Sequence, residues 1–163
     1  MIRATRAAHI FLVLMLCGIS LAAQKKPAQK TPEEPRPNFS GRWINPADKG
    51  PTAEIVVTMD EKSLSKQRPD GSHKESYQLD GVERRMALPA SVARMVDSVM
   101  SSAKWNGNRI VIVTNTNYSN GMRTKDEDVW SFDAQGRLVI QTTASGPGAP
   151  SKTTRGVFNK KSS

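Results

Sequence analysis

A chain of 163 residues carrying 24 Lys and Arg against 15 Asp and Glu has a formal net charge of +9, with one cysteine. Length of this order supports one hydrophobic core rather than two, and a lone cysteine excludes an internal disulfide, so burial must hold the fold together. The basic residues are scattered among acids and no nucleic-acid motif accompanies them, which argues against nucleic-acid binding and for a solvated basic surface.

Arg3, Arg6 and His9 precede an apolar run from Ile10 to Ile19 and a small-residue close at Ser20-Leu21-Ala22-Ala23. That is the three-part layout of a secretory signal peptide over residues 1–23, with cleavage after Ala22 or Ala23. Two alternatives stand beside it. An uncleaved anchor would have to use Ala7 to Ala23, which barely reaches a membrane span and is interrupted by Gly18 and Ser20. Lipidation at Cys17 would have to tolerate Leu16 where a small residue is wanted. The expectation is export to the periplasm or the medium, with no membrane span left after cleavage.

Residues 24–37 read QKKPAQKTPEEPRP, with four prolines and no large apolar side chain. Such a segment cannot bury enough surface to offset its ordering entropy and is expected to be a disordered linker. From Asn38 the pattern changes to short alternating runs bounded by turn residues. Strands are expected at Phe39 to Ile44, Glu54 to Met59, Leu64 to Gln67 and Lys74 to Leu79, the last two joined through Pro69-Asp70-Gly71. Val92, Met95, Val96, Val99 and Met100 then recur at i, i+3, i+4, i+7 and i+8, which predicts a short amphipathic helix within residues 89–102. Strands from Ser102 to Trp105 and from Arg109 to Thr116 flank Asn106-Gly107, a dipeptide suited to a tight primed turn. Further strands are expected at Thr124 to Phe132, Leu138 to Ala144 and Thr153 to Phe158, with residues 146–150 as a loop. The sum is an all-β, mainly antiparallel domain over residues 38–160: a single eight- or nine-stranded barrel with one short helix, followed by a tail at 161–163.

Asn38-Phe39-Ser40-Gly41-Arg42-Trp43 places a Gly-x-Trp on the first strand. Together with Ala103-Lys104-Trp105-Asn106-Gly107-Asn108 and the closing Arg155-Gly156-Val157-Phe158-Asn159-Lys160, it resembles the lipocalin-like, calycin-type barrels of exported bacterial proteins. The resemblance implies that Trp43 sits at the closed end of a barrel under a basic side chain from the last strand, which would be Arg155, with Gly41 serving the same closure. A guanidinium stacked on an indole gains about 0.5 to 2 kcal/mol. The chain departs from the family where the Thr-Asp-Tyr of many ligand carriers is replaced by Asn115-Thr116-Asn117-Tyr118, and in the mid-chain helix.

Little in the sequence selects a catalytic mechanism. His73 is the sole histidine after the leader and lies beside the Asp70-Gly71 turn, without a Gly-x-Ser-x-Gly elbow or a second histidine at ligand spacing. Asp126 and Asp128 share one face of a strand, but two carboxylates are too few for calcium, so no metal and no cofactor is expected. Tyr77, Trp105, Trp130 and Phe132 are the candidates to line an apolar cup for one small ligand, with core packing as the competing role. Met86, Met95 and Met100 around the helix would suit a lid over that cup or ordinary gap-filling. The functional expectation is a non-catalytic exported domain binding a small apolar or amphipathic molecule. The alternatives are an interaction domain whose barrel is filled by its own side chains and, third, a hydrolase of unspecified type. Oligomeric state is left open.

Overall fold

The computed structural model describes residues 35–162. The expected signal peptide, Cys17, the part of the expected linker before residue 35 and the last residue lie outside the described residues. Ten strands follow in chain order: β1 Gly41–Ile44, β2 Glu54–Met59, β3 Ser63–Gln67, β4 Glu75–Gln78, β5 Arg84–Arg85, β6 Val96–Asn106, β7 Arg109–Tyr118, β8 Arg123–Phe132, β9 Leu138–Gly146 and β10 Ala149–Lys160. They form one antiparallel sheet in the order β4-β3-β2-β1-β10-β9-β8-β7-β6-β5, strongly curled into a half-barrel. The first and last strands are neighbours, so the chain runs as two meanders joined at β1 and β10.

Two features decide how far the curl closes. Where β4 ends, Asp80 forms an isolated bridge to Lys104 and the Gly81 N–H donates to the Ala103 carbonyl at 2.8 Å, tying the fourth strand to the sixth. On the other side β1 pairs with β10 only at Trp43↔Lys160 and Ile44↔Asn159. The rest of β10 is paired with β9 alone among the described residues, which leaves a gap in the wall.

The expected strands recur, with β6 and β10 much longer than expected, and β5 is the addition that brings the number to ten. The expected helix is absent: among the described residues there is none, and residues 96–106 are strand β6, entered through turns from Pro89 to Met95. Its apolar spacing has a different cause. Val96 faces Tyr118 and Ser98 faces Asn117, so a bulge at Asp97 inserts one extra residue. Inward-facing Val96 and Val99 therefore stand three apart rather than two, and a bulged strand imitates a helical i, i+3 step. The methionines do not gather over one element either. Met95 is exposed in the turn, Met86 packs on the core and Met100 pairs with Arg85 on the outer face. The expected loop at 146–150 contracts to a tight turn, with Gly148 at a φ of 75° and Pro150 inside a register shift of β10, where its missing N–H costs nothing.

The core fills the end of the half-barrel nearest Trp43. Phe39 is completely buried just before β1, and its ring lies 4.8 Å from Phe132, 6.2 Å from Trp105 and 6.3 Å from Trp130. The Trp43 indole N–H donates to the Phe39 carbonyl at 2.9 Å, so the turn into β1 is pinned from inside. Leu64, Ile110 and Leu138 complete the packing. Because Phe39 touches three other rings at once, Phe39→Ala is expected to lower the unfolding free energy by about 3–5 kcal/mol. Equilibrium urea unfolding checks this, and a loss below about 1 kcal/mol would mean the ring is not the centre of the core.

Candidate ligand-binding cleft

Every long strand changes character at the same level. The inward residues of β7 run Ile110, Ile112, Thr114, Thr116; those of β8, read from the Phe132 end, run Phe132, Trp130, Asp128, Asp126, Thr124. Strand β9 likewise passes from Leu138 and Ile140 to Thr142, and β10 from Phe158 through Gly156 to Thr154. Strand alternation keeps these residues on the concave face. The interior is therefore dry at one end and polar above it.

At the boundary between the two levels lies an open cleft of about 400 Å³. Ile55, Ile140 and Phe158 supply its apolar lining, and Lys66, Glu75, Asp128, Thr142 and Thr154 its polar walls. Gly156 adds room where a Cβ would come within 2.8 Å of the Phe158 ring. The gap beside β10 forms part of the rim, since Asp48 and Thr52 of the β1–β2 connection also line the cleft.

Its polar groups form two clusters. Lys66 and Glu75 are cross-strand partners, with Nζ 3.0 Å from Oε2, and the same oxygen accepts the Tyr77 hydroxyl at 2.6 Å. Burial, reinforced by the Glu75 charge, pushes the Tyr77 phenol far above its ordinary pKa, so it remains a neutral donor. Across the cleft, Asp128 Oδ1 accepts the Thr142 hydroxyl at 2.6 Å. Burial raises the Asp128 pKa, with Glu75 and Asp126 adding to the rise while Thr142 and Lys66 oppose it.

Tyr77, Trp105, Trp130 and Phe132 are not gathered around this cleft. Trp130 is fully buried beneath it, while Trp105 and Phe132 pack against Phe39 at the dry end. Tyr77 reaches the cleft only through its hydroxyl on Glu75. Arg36 stands over Trp105, with its guanidinium carbon 5.4 Å from the ring centroid.

The closure residues divide differently from the expected arrangement. Trp43 is buried, but Arg155 is exposed on the outer face, and the cation over the indole is Lys160, with Nζ 5.6 Å from the ring centroid. Gly41 explains why it can lie there. Its φ is 148°, and a Cβ would come within 3.0 Å of Lys160 Cε. Lys160 is also the direct cross-strand neighbour of Trp43, whereas Arg155 lies on the other face of β10. Strand parity within the closing segment carries that information once the register is known.

His73 is exposed at the cleft mouth, its Nδ1 3.0 Å from the Ser72 hydroxyl, and its backbone takes a left-handed φ of 53°. Among the described residues no group of three or more His, Cys, Asp or Glu could hold a metal ion, and no helix is long and apolar enough to cross a membrane. Sequence reasoning singled out Asp128 only as half of a carboxylate pair, and missed Lys66, Glu75, Thr142 and Gly156. A signal was present: each polar member stands two positions from an inward apolar one, as in Leu64 with Lys66 and Tyr77 with Glu75. No family model and no curated protein matches the chain.

Folding raises the pKa of Asp128, so above the ordinary carboxylate range the folded state holds more of its proton than the unfolded chain. Its unfavourable contribution is absent below about pH 4 and grows as pH rises toward the folded value. Asp128→Asn keeps an acceptor for Thr142 and removes that penalty. The variant is expected to gain stability relative to wild type between about pH 4 and pH 7, read as a widening difference in urea midpoints; a difference constant with pH would contradict the assignment.

Proposed function

We propose that the chain is an exported, lipocalin-like half-barrel that binds a small amphipathic molecule in the cleft above its aromatic core, without catalysing a reaction. The observation that carries this reading is the cleft itself. A concave space of about 400 Å³ with an apolar lining on one side and a few convergent polar groups is the usual form of a small-molecule site. The Gly-x-Trp on β1, the indole covered by a last-strand cation and the antiparallel curl support the lipocalin-like reading. The apolar lining of Ile55, Ile140 and Phe158 suits a hydrocarbon portion, and the polar walls favour an amphipathic over a wholly apolar guest. For catalysis His73 offers poor support, since its one hydrogen-bond partner is a hydroxyl rather than a carboxylate and it is exposed.

Two measurements test the reading. Thr154 is exposed on the inward face of β10, so Thr154→Trp would fill the cleft without entering the core, while Thr153→Trp places the same ring on the outer face. Binding of the neutral dye Nile red, followed by fluorescence, is expected to weaken at least about tenfold in the first variant and stay unchanged in the second. Equal binding by all three proteins would remove the cleft from the argument. Export is tested separately by intact mass of protein recovered from outside the cytoplasm of an expressing bacterium. The expected chain begins at Ala23 or Gln24, and an untrimmed chain retained in the cells would overturn it.

A further inference from the structure

The charges around the cleft are unequally satisfied. Glu75 receives both the Lys66 ammonium at 3.0 Å and the Tyr77 hydroxyl at 2.6 Å on one oxygen. Asp128 receives a single neutral donor, Thr142, on Oδ1, and among the described residues none donates to its other oxygen. Lys66 favours the charged form of Asp128 from a distance, but its ammonium contacts Glu75 at 3.0 Å and makes no hydrogen bond to Asp128. Asp126, the next inward residue of β8, adds negative charge and no donor.

The remaining charged groups do not supply the missing bond. Arg68 and His73 line the cleft where the chain passes from β3 to β4, and Asp48 lines it from the β1–β2 connection. None of them donates to Asp128. Lys152 is on the inward side of β10, opposite Ala144, and is exposed. A half-buried carboxylate with one neutral donor is best completed by a charge-assisted hydrogen bond, roughly twice as strong as a neutral one. The cleft is also lined by Ile55, Ile140 and Phe158.

We infer that the cleft is specific for amphipathic amines, with a protonated amine donating to the free oxygen of Asp128 and the hydrocarbon portion lying against Ile55, Ile140 and Phe158. This rests on the small-molecule reading of the same cleft and adds the chemical class of the guest. An alcohol of the same length could donate one neutral hydrogen bond there. A carboxylate of the same length would bring a further negative charge beside Asp128 and Glu75.

The test uses the purified protein at pH 7 with octylamine, octanol and octanoate as competitors for bound Nile red. Octylamine is expected to displace the dye at a concentration at least about tenfold lower than octanol, with octanoate the weakest. Asp128→Asn, which keeps the shape and the Thr142 contact, should abolish the preference for amine over octanol, so that the two displace the dye at concentrations within about twofold of each other. Equal displacement by amine and alcohol, a preference for octanoate, or an amine preference that survives Asp128→Asn would overturn the inference. In those cases dye binding that is still lost in Thr154→Trp would leave the broader reading standing. Failure of the dye to bind wild type at all would sink both.

Discussion

The half-barrel depends on the contact between Phe39 and the three rings packed around it. Phe39 lies outside any strand, yet it is as deeply buried as the centre of the sheet, and its carbonyl holds the Trp43 indole. That single hydrogen bond ties the chain entering β1 to the aromatic core. Strands from both meanders meet on the same cluster: Trp43 of β1, Trp105 of β6, and Trp130 and Phe132 of β8. Aromatic rings bury more area per residue than any aliphatic side chain and prefer offset or edge contacts, so a few of them can draw a twisted sheet into a tight curl. Without a disulfide among the described residues, this is where the curvature is stabilised.

A dry end has a consequence for the other end. Each long strand continues past the aromatic level, and its inward positions must then carry side chains that tolerate water. Thr114, Thr116, Thr124, Asp126 and Thr142 occupy them. Burial of so many hydroxyls and carboxylates in a closed interior would cost more than packing returns, so a concave surface of this composition is stable only if it stays open to solvent or to a guest. The cleft follows from the same polarity gradient that builds the core.

Most of the architecture could be read from alternation, because period-two burial is a local property. Glu54 to Met59 shows it so clearly that the strand boundaries are the observed ones. The helix expected at 89–102 fails for an equally local reason, the bulge at Asp97, which changes the inward spacing from two to three for one step. Closure residues were harder, since choosing Lys160 over Arg155 requires the β1–β10 register, a pairing between the two ends of the domain. The cleft was the least legible. Its members come from β2, β3, β4, β8, β9 and β10, and only the three-dimensional curl brings Lys66 and Glu75 opposite Asp128 and Thr142. Tyr77, Trp105, Trp130 and Phe132, which the sequence offered either as a ligand lining or as core packing, belong to the core cluster or pack against it, because an aromatic side chain on an inward position is equally consistent with both roles.

Why the wall stays open is written in four residues. Strand β1 stops at Ile44 because Asn45-Pro46-Ala47-Asp48 turns away: the Asn45 side chain accepts the Ala47 N–H at 3.1 Å, and Pro46 has no N–H to offer a ladder. Asp48 then holds the connection in place, accepting the Gly50 N–H and the Thr52 hydroxyl, each at 2.7 Å. Had β1 run on in register, it would have paired with β10 beyond Asn159 and covered Gly156 and Thr154. The turn instead sets Asp48 and Thr52 on the rim, and the absence of a side chain at Gly156 deepens the opening. A barrel of this strand number that sealed along β1 would enclose Asp128 with no water and no partner for its second oxygen. The short first strand is thus the feature that allows a half-satisfied carboxylate to exist inside the curl.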